Sequence, residues 1–161
     1  KAMKVNIIAV GKLKEKYWLD AVREYSKRLG PYLKLQITEI ADVRAPERLS
    51  DREQDQVRDQ EGAKILDQIR DQDYVIALAI EGREHTSEGF AQMLDQLLTQ
   101  GRSEITFVIG GSLGLSRAVY ERADYQLSFS QFTFPHQLMR VILLEQIYRA
   151  MKINRGEPYH K

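Results

Sequence analysis

The 161-residue chain has no cysteine, no long hydrophobic run and almost no net charge. The absence of cysteine excludes disulfide bonds and thiolate metal sites, and it favours a reducing cytoplasm as the location. No apolar run reaches the roughly 20 residues that a membrane-spanning helix needs. The N-terminus also lacks the apolar segment, about 7–15 residues long, that is typical of a secretory signal peptide. We therefore expect a cytoplasmic protein without a membrane partner.

The composition is typical of a globular protein. Hydrophobic residues make up 43% of the sequence, which is enough for a sizeable core at this length. No internal repeat, low-complexity segment or change of composition marks a domain boundary. We therefore expect one domain over residues 1–161, ending in a tail at 153–161. Met3 is a plausible initiator, so Lys1 and Ala2 are candidates for residues added by cloning.

The net charge of +1 hides an uneven distribution of charge along the chain. Residues 1–38 carry nine basic and three acidic side chains, and residues 105–161 carry seven and four. Residues 39–104 carry eight basic and sixteen acidic side chains. Two mildly basic ends permit a polyanion such as RNA to bind one face. They do not require it, because ordinary solvated surfaces have similar charge counts.

The spacing of apolar residues predicts strands that alternate with helices. Short β-branched or continuous apolar runs predict five strands, at residues 3–10, 33–40, 74–80, 105–109 and 125–129. Helical spacing predicts helices at 17–29, 51–70, 87–100, 116–123 and 135–151. Ser50 with Glu53 is a capping box for the second helix, and Gly82 is expected to end the third strand. This alternation predicts an α/β fold with three layers and a mostly parallel sheet.

Two runs are typical of strands that end in a ligand-binding loop. The first, residues 108–115 (VIGGSLGL), contains glycines that let the backbone approach a ligand closely. The second, residues 127–136 (LSFSQFTFPH), combines hydroxyl and aromatic side chains. Open α/β sheets bind small molecules in a crevice at the carboxyl ends of their strands. We therefore predict one crevice between these two loops, although a tight strand-to-helix turn explains the glycines equally well.

Several common chemistries find no support in the pattern. The glycine run has neither the G-x-x-x-x-G-K-[ST] of a phosphate loop nor the G-x-G-x-x-G of a dinucleotide site. No G-x-S-x-G nucleophile motif is present. His85, His136 and His160 are too far apart in sequence for a local metal cluster, so no metal is expected. Taken alone, His136 favours a structural role in the first turn of a helix.

The chain resembles a particular family of enzymes. The resemblance rests on residues 109–115 (IGGSLGL), 127–136 (LSFSQFTFPH) and 8–14 (IAVGKLK), with Arg140 and a terminal YHK at 159–161. These runs are similar to those of SPOUT (α/β-knot) methyltransferases that act on N3 of a pseudouridine in large-subunit ribosomal RNA. The resemblance covers essentially the whole chain, and the spacing of the C-terminal motifs is specific.

The resemblance implies a fold feature and a cofactor. The last strand and helix would thread a loop near residues 78–115, so that a deep trefoil knot spans about residues 75–152, a rare exception to unknotted folds. S-adenosylmethionine would be the methyl donor. The cofactor-binding residues implied by position are Leu78, Gly110, Phe129, Ser130, Gln131, Phe132, Thr133 and Phe134. Backbone groups would read the adenine edge while apolar side chains cover its faces.

The resemblance also implies a substrate-side group of Arg140, Tyr159 and His160. The arginine would stabilise a developing negative oxygen, and the histidine would hold or relay a proton near neutral pH. The identity of the general base stays open. Members of the family are homodimers, so the tail of one subunit is expected to complete the site of the other, with the helix at 135–151 as the dimer surface. The expected substrate is ribosomal RNA within an assembled ribosome.

Two alternative functions remain open: one is not enzymatic, and the other is the same reaction class on a different RNA. A non-catalytic α/β protein that binds RNA or the ribosome would need the glycine run only as a turn. A related SPOUT methyltransferase would act on transfer RNA instead. Binding of S-adenosylmethionine separates the first alternative from an enzyme, and the RNA that accepts the methyl group separates the second.

Overall fold

The computed structural model describes residues 2–44 and 46–159. Within these ranges, strands and helices alternate along the chain as predicted. The strands are β1 (Lys4–Val10), β2 (Lys34–Ile40), β3 (Tyr74–Glu84), β4 (Glu104–Ile109) and β5 (Tyr125–Ser128). The helices are α1 (Lys16–Leu29), α2 (Asp51–Asp67), α3 (Ser87–Thr99), α4 (Arg117–Arg122) and α5 (His136–Asn154). The predicted α/β class is confirmed.

The five strands form one sheet in the order β2-β1-β4-β3-β5. Each neighbouring pair is parallel, so the sheet is parallel throughout rather than mostly so. β1, β4 and β3 are the interior strands of this sheet, and their side chains are buried in the cores on both faces. This explains their continuous apolar sequences, because a strand buried on both faces has no polar side to alternate with.

Helices cover both faces of the sheet, which confirms the predicted three layers. On one face, α1, α3 and α5 pack over the larger core, where Leu29, Leu94 and Leu143 are fully buried. On the other face, α2 and α4 contribute Ile65 and Val119 to a smaller core. Burial of each such side chain stabilises the fold by about 1.5–3 kcal/mol.

The third strand does not end at Gly82, and that expectation was wrong. β3 continues to Glu84 because residues 79–82 bulge outward and the chain then returns to the same partner. Both Leu78 and Arg83 pair with Leu127 of β5. A Cβ at Gly82 would lie 2.7 Å from the carbonyl carbon of Gln126, so glycine is what lets the two backbones meet here. The residue thus permits strand pairing instead of stopping it.

The helix ends agree with the sequence signals to within a few residues. In the capping box of α2, Ser50 Oγ accepts a bond of 3.1 Å from the Glu53 N–H, and Glu53 Oε1 accepts one of 3.0 Å from the Ser50 N–H. α2 ends at Asp67, three residues before the predicted end, and α5 extends three residues beyond its predicted end to Asn154.

Among the described residues, none of the helices has the length and apolar character that a membrane span requires. The trefoil knot stays a prediction.

Candidate active site

The carboxyl ends of three strands line one cavity of about 980 Å³, here called the donor crevice. Residues 78–81 come from the bulge of β3, residues 109–114 from the end of β4 and the turn after it, and residues 132–136 from the loop after β5. The volume is in the range of about 300–1,000 Å³ that small-molecule sites have. The two loops singled out in the sequence therefore face the same space.

The turn after β4 is built by glycine. A Cβ at Gly110 would lie 2.8 Å from the carbonyl carbon of Gly114, and Gly114 itself has a φ of +83°. The Gly114 N–H donates a bond of 3.0 Å to the carbonyl oxygen of Gly111, which closes the turn. Glycine is thus needed at position 110 because any side chain would collide with the backbone of the same turn. The closed turn then presents main-chain groups to the donor crevice.

The loop after β5 is organised by its hydroxyl side chains. Ser128 Oγ donates a bond of 3.1 Å to the carbonyl oxygen of Ser130, and Ser130 Oγ accepts one of 3.0 Å from the Phe132 N–H. In this loop Phe132 lines the crevice and is 77% exposed. An aromatic ring so exposed at a cavity is suited to cover the face of a planar ligand.

The structure does not bring all of the predicted cofactor-binding residues to the donor crevice. Lining the donor crevice are Leu78, Gly110, Phe132, Thr133 and Phe134. Phe129 instead lines a smaller cavity of about 210 Å³ next to it, and Phe134 contributes to both cavities. Ser130 and Gln131 line neither of these cavities. Ser130 serves the loop itself, as its bond to Phe132 shows.

Arg140 is a buried anchor with 2% of its surface exposed. Its Nη1 forms an ion pair of 2.7 Å with Glu39, and its Nη2 donates a bond of 3.1 Å to the carbonyl oxygen of Gly11. These contacts fasten the first turns of α5 to the carboxyl ends of β1 and β2. The guanidinium is thus buried and held by two bonds to the fold, while its Nε has no partner among the described residues.

Tyr159 lies on a different part of α5. Its hydroxyl donates to the Glu145 carboxylate, and its ring contacts the Tyr148 ring at a centroid distance of 4.9 Å. Burial, and then the bond to Glu145, raise the pKa of the Tyr159 hydroxyl. Residues 140 and 145 are separated by about 140° around the helix, so Arg140 and Tyr159 are not brought together. His160, the third predicted member of this group, lies outside the described residues.

His136 begins α5 and lines the donor crevice. Its ring packs on Gly11, where a Cβ would lie 3.3 Å from Cε1. Its Nδ1 is buried, and no group within the described residues bonds to it. Burial, and then the charge of Arg140, lower the pKa of this imidazole. Sequence reasoning gave His136 a structural role, but the structure adds a position on the wall of the cavity.

Glu61 is a site residue that the sequence did not reveal. It lies on α2 with 6% of its surface exposed, and its Oε2 accepts a bond of 3.0 Å from the Val43 N–H. Burial raises the pKa of the carboxyl group. The helix is highly charged, so nothing in its pattern distinguishes Glu61 from its exposed acidic neighbours. Its burial follows from the packing of α2 against α4, where a Cβ at Gly62 would lie 2.3 Å from Ser116 Oγ.

No group of three or more acidic or histidine side chains within the described ranges is arranged to hold a metal ion. The polar groups that line the donor crevice are backbone atoms and the side chains of Glu81, Ser112, Tyr120, Gln126, Thr133 and His136.

Two comparisons with known proteins bear on this site. Residues 3–160 match the family model described as "Predicted SPOUT methyltransferase". The fold is similar to that of a probable methylase family protein from Haemophilus influenzae Rd KW20, with a TM-score of 0.53 and 11% sequence identity. That likeness covers 99% of this chain and 70% of the other chain. At this identity it supports the fold alone.

Proposed function

We propose that this chain, which belongs to the SPOUT methyltransferase family, transfers a methyl group from S-adenosylmethionine to N3 of a pseudouridine in large-subunit ribosomal RNA. The observation that carries the proposal is the convergence of the glycine turn and the 132–136 loop on one crevice of suitable volume. The motif resemblance supports the choice of nucleotide. A cytoplasmic location, where ribosomes are assembled, is part of the proposal.

The residues of the donor crevice fit S-adenosylmethionine. Gly110 and its turn offer backbone donors and acceptors for an adenine edge, while Phe132 and Phe134 offer ring faces. Glu81 adds a carboxylate to the lining, which favours a ligand with a positive charge. When bound, S-adenosylmethionine supplies a methyl group on a positively charged sulfur, and the sulfur leaves as a neutral thioether with the electron pair of the broken bond.

The contribution of the protein is mainly positional. An in-line methyl transfer requires the accepting nitrogen to be held on the line of the breaking bond, and such alignment supplies much of the catalytic effect. Arg140 serves this alignment indirectly, because it fixes the start of α5 and with it the preceding loop. We therefore assign Arg140 a positioning role in place of the direct contact expected from the resemblance.

The proposal includes a homodimer in which the tail of one subunit completes the crevice of its partner. Within one protomer Tyr159 stays on its own α5 and is not brought to Arg140. The proposal therefore gives Tyr159 its substrate-side role in the partner's crevice, together with His160 of the same tail. The exposed apolar side chain of Ile153, near the C-terminal end of α5, supports this face as the contact.

Calorimetry and methyl incorporation test the proposed function. We expect S-adenosylmethionine to bind the purified protein, and radiolabelled methyl groups to enter assembled ribosomes as methylpseudouridine. Absence of binding heat and of a thermal shift at millimolar donor would favour the non-catalytic binder. Methylation of transfer RNA, with ribosomes left unmodified, would favour the tRNA enzyme. Sedimentation as a monomer at working concentration would contradict the shared site.

A further inference from the structure

A second cavity of about 640 Å³ adjoins the donor crevice. It lies between the segment after β2, the start of α2 and the glycine turn. Gly111, Ser112, Leu113 and His136 line both cavities. These four residues form the boundary where the two cavities adjoin, here called the shared wall. Molecules in the two cavities would therefore lie next to each other at this boundary. We call the second cavity the acceptor cavity.

Glu61 faces the shared wall. Its Oε2 is held by the Val43 N–H, whereas a Cβ at Gly111 would lie 3.6 Å from its Oε1. The absence of a side chain at position 111 therefore keeps open the space next to the second carboxylate oxygen. That oxygen is the one available to a ligand at the boundary between the cavities.

The lining of the acceptor cavity suits a flat, neutral heterocycle better than an anion. Apolar side chains such as Val10, Leu49 and Val57 cover part of its walls. Asp42, Glu47 and Glu61 supply carboxylates, against a single guanidinium from Arg44 among the described lining residues. This excess of negative charge disfavours a phosphate inside the cavity and favours a group that donates N–H bonds. A uracil-type ring has such a donor between two carbonyl groups.

We propose that the acceptor cavity receives the target nucleobase of the RNA and that Glu61 accepts the proton that leaves its ring nitrogen. The inference rests on the proposed function and names the base that the sequence left open. The N–H bond breaks, an O–H bond forms on Oε1 of the carboxylate, and the electron pair stays on the nitrogen. That pair then forms the new bond to the methyl carbon.

The charges around Glu61 are consistent with this role. Burial is the largest cause that raises its pKa, and the Val43 N–H acts against it. Asp42, on the segment after β2, raises the pKa further, and Lys64 on the same helix lowers it. Arg44 and Glu47 face the cavity with opposite charges, and His136 from α5 has a lowered pKa. A raised pKa makes the carboxylate a stronger base near neutral pH.

The decisive variant is Glu61→Gln, whose amide oxygen still accepts the Val43 N–H bond. We expect binding of S-adenosylmethionine to stay near wild type and the thermal melt to stay cooperative, while methyl transfer to ribosomes falls by about 100-fold or more. The wild-type rate should decline at acid pH as Glu61 is protonated, and the variant should lack this decline. Asp59→Asn, an exposed change on the same helix, is the matched control and should keep the wild-type rate.

A binding measurement on the wild-type protein does not depend on turnover. With S-adenosylhomocysteine present, millimolar pseudouridine nucleoside should shift the methyl resonances of Val10, Leu49 and Val57, and the Glu61 variant should bind it more weakly. Unmoved resonances, or a Glu61→Gln enzyme with the wild-type rate and acid decline, would overturn the inference alone. A wild-type protein that methylates no RNA would overturn the proposed function together with it.

Discussion

The donor crevice and a tyrosine cluster between α1 and α5 are built in contrasting ways. The crevice depends on close main-chain packing in its glycine turn, because a Cβ at Gly110 would lie only 2.8–2.9 Å from the Gly114 backbone. The tyrosine cluster consists of Tyr25, Tyr32, Tyr148 and Tyr159, with their rings edge to face at 4.9–6.5 Å. Around these rings lie the cationic side chains of Arg28, Arg149, Lys152 and Arg155.

The contrast teaches where single changes will matter. At Gly110 the turn leaves no space for an added side-chain atom, so one methyl group forces the backbone to move. In the cluster each cation–π contact contributes about 0.5–1 kcal/mol at an exposed site, and several neighbours share each ring. The crevice should therefore be sensitive to small substitutions, and the cluster should tolerate them.

The largest effect is expected where α5 joins the two regions. Arg140→Met removes the guanidinium bond to Glu39 and leaves the carbonyl oxygen of buried Gly11 without its donor, which together should cost about 3 kcal/mol of unfolding free energy. Affinity for S-adenosylmethionine should fall with it, because the loop before α5 loses its anchor. Chemical denaturation and calorimetry measure the two effects.

Arg117→Met is the matched control for this change, since it breaks a pair with Glu121 that is exposed to solvent. Its cost should be below about 1 kcal/mol. Arg140→Lys should restore part of the stability if charge is the main contribution. An Arg140→Met protein with wild-type stability and wild-type donor affinity would show that the anchor does not hold the loop.

Gly110→Ala should have the next largest effect. The added methyl group would contact the Gly114 backbone at 2.8 Å, which predicts a loss of about 1–3 kcal/mol and at least tenfold weaker binding of the donor. Gly30→Ala, at a position with a negative φ and far from the crevice, should change neither property appreciably. Equal effects of the two substitutions would remove the distinction between the crevice and the rest of the surface.

Tyr159→Phe tests the tolerance of the cluster. Glu145 keeps its bonds from Tyr25 and Arg149, so the loss of stability should stay below about 1 kcal/mol. If the tail acts in the partner subunit, methyl transfer should nevertheless fall. Mixing this variant with Gly110→Ala should then restore activity in mixed dimers, because one intact crevice meets one intact tail. Tyr17→Phe, at an exposed ring, is the control for both measurements.

The smallest effect concerns pH. The lowered pKa of His136 means that the unfolded chain binds a proton more tightly than the folded chain, so stability declines as the pH falls below the ordinary value of 6.5. The raised pKa of Glu61 acts in the opposite direction, so its stabilising effect is present at low pH and lost as the pH rises through the folded pKa.

Melting temperatures between about pH 5 and 8 should therefore respond to His136→Gln and Glu61→Gln, each with its own sign. Burial, and then the neighbouring Glu145, raise the pKa of the Tyr25 hydroxyl, so Tyr25→Phe should leave the pH dependence in this range unchanged. A melting-temperature profile against pH that changes with Tyr25→Phe and not with the other two variants would mean that the tyrosine cluster, and not the residues at the cavities, sets the pH dependence.

Much of the fold was predictable because its signals are local. The alternation of strands and helices, the Ser50 capping box and the two crevice loops follow from spacing within short segments. Where these predictions were wrong or gave no answer, the outcome depends on tertiary contacts. Gly82 was expected to end a strand, and only the neighbouring β5 backbone shows why a glycine there lets β3 continue.

The sequence by itself determined the order of the elements, the buried character of the central strands and the glycine turn, since each depends on residues close together in the chain. The tertiary structure alone decided the placement of Arg140, Glu61 and Tyr159. Arg140 reaches Glu39 across 101 positions because the sheet order puts β1 and β2 beside the start of α5. Burial, ion pairing and shifted pKa values arise from such distant neighbours, and a linear pattern does not contain them.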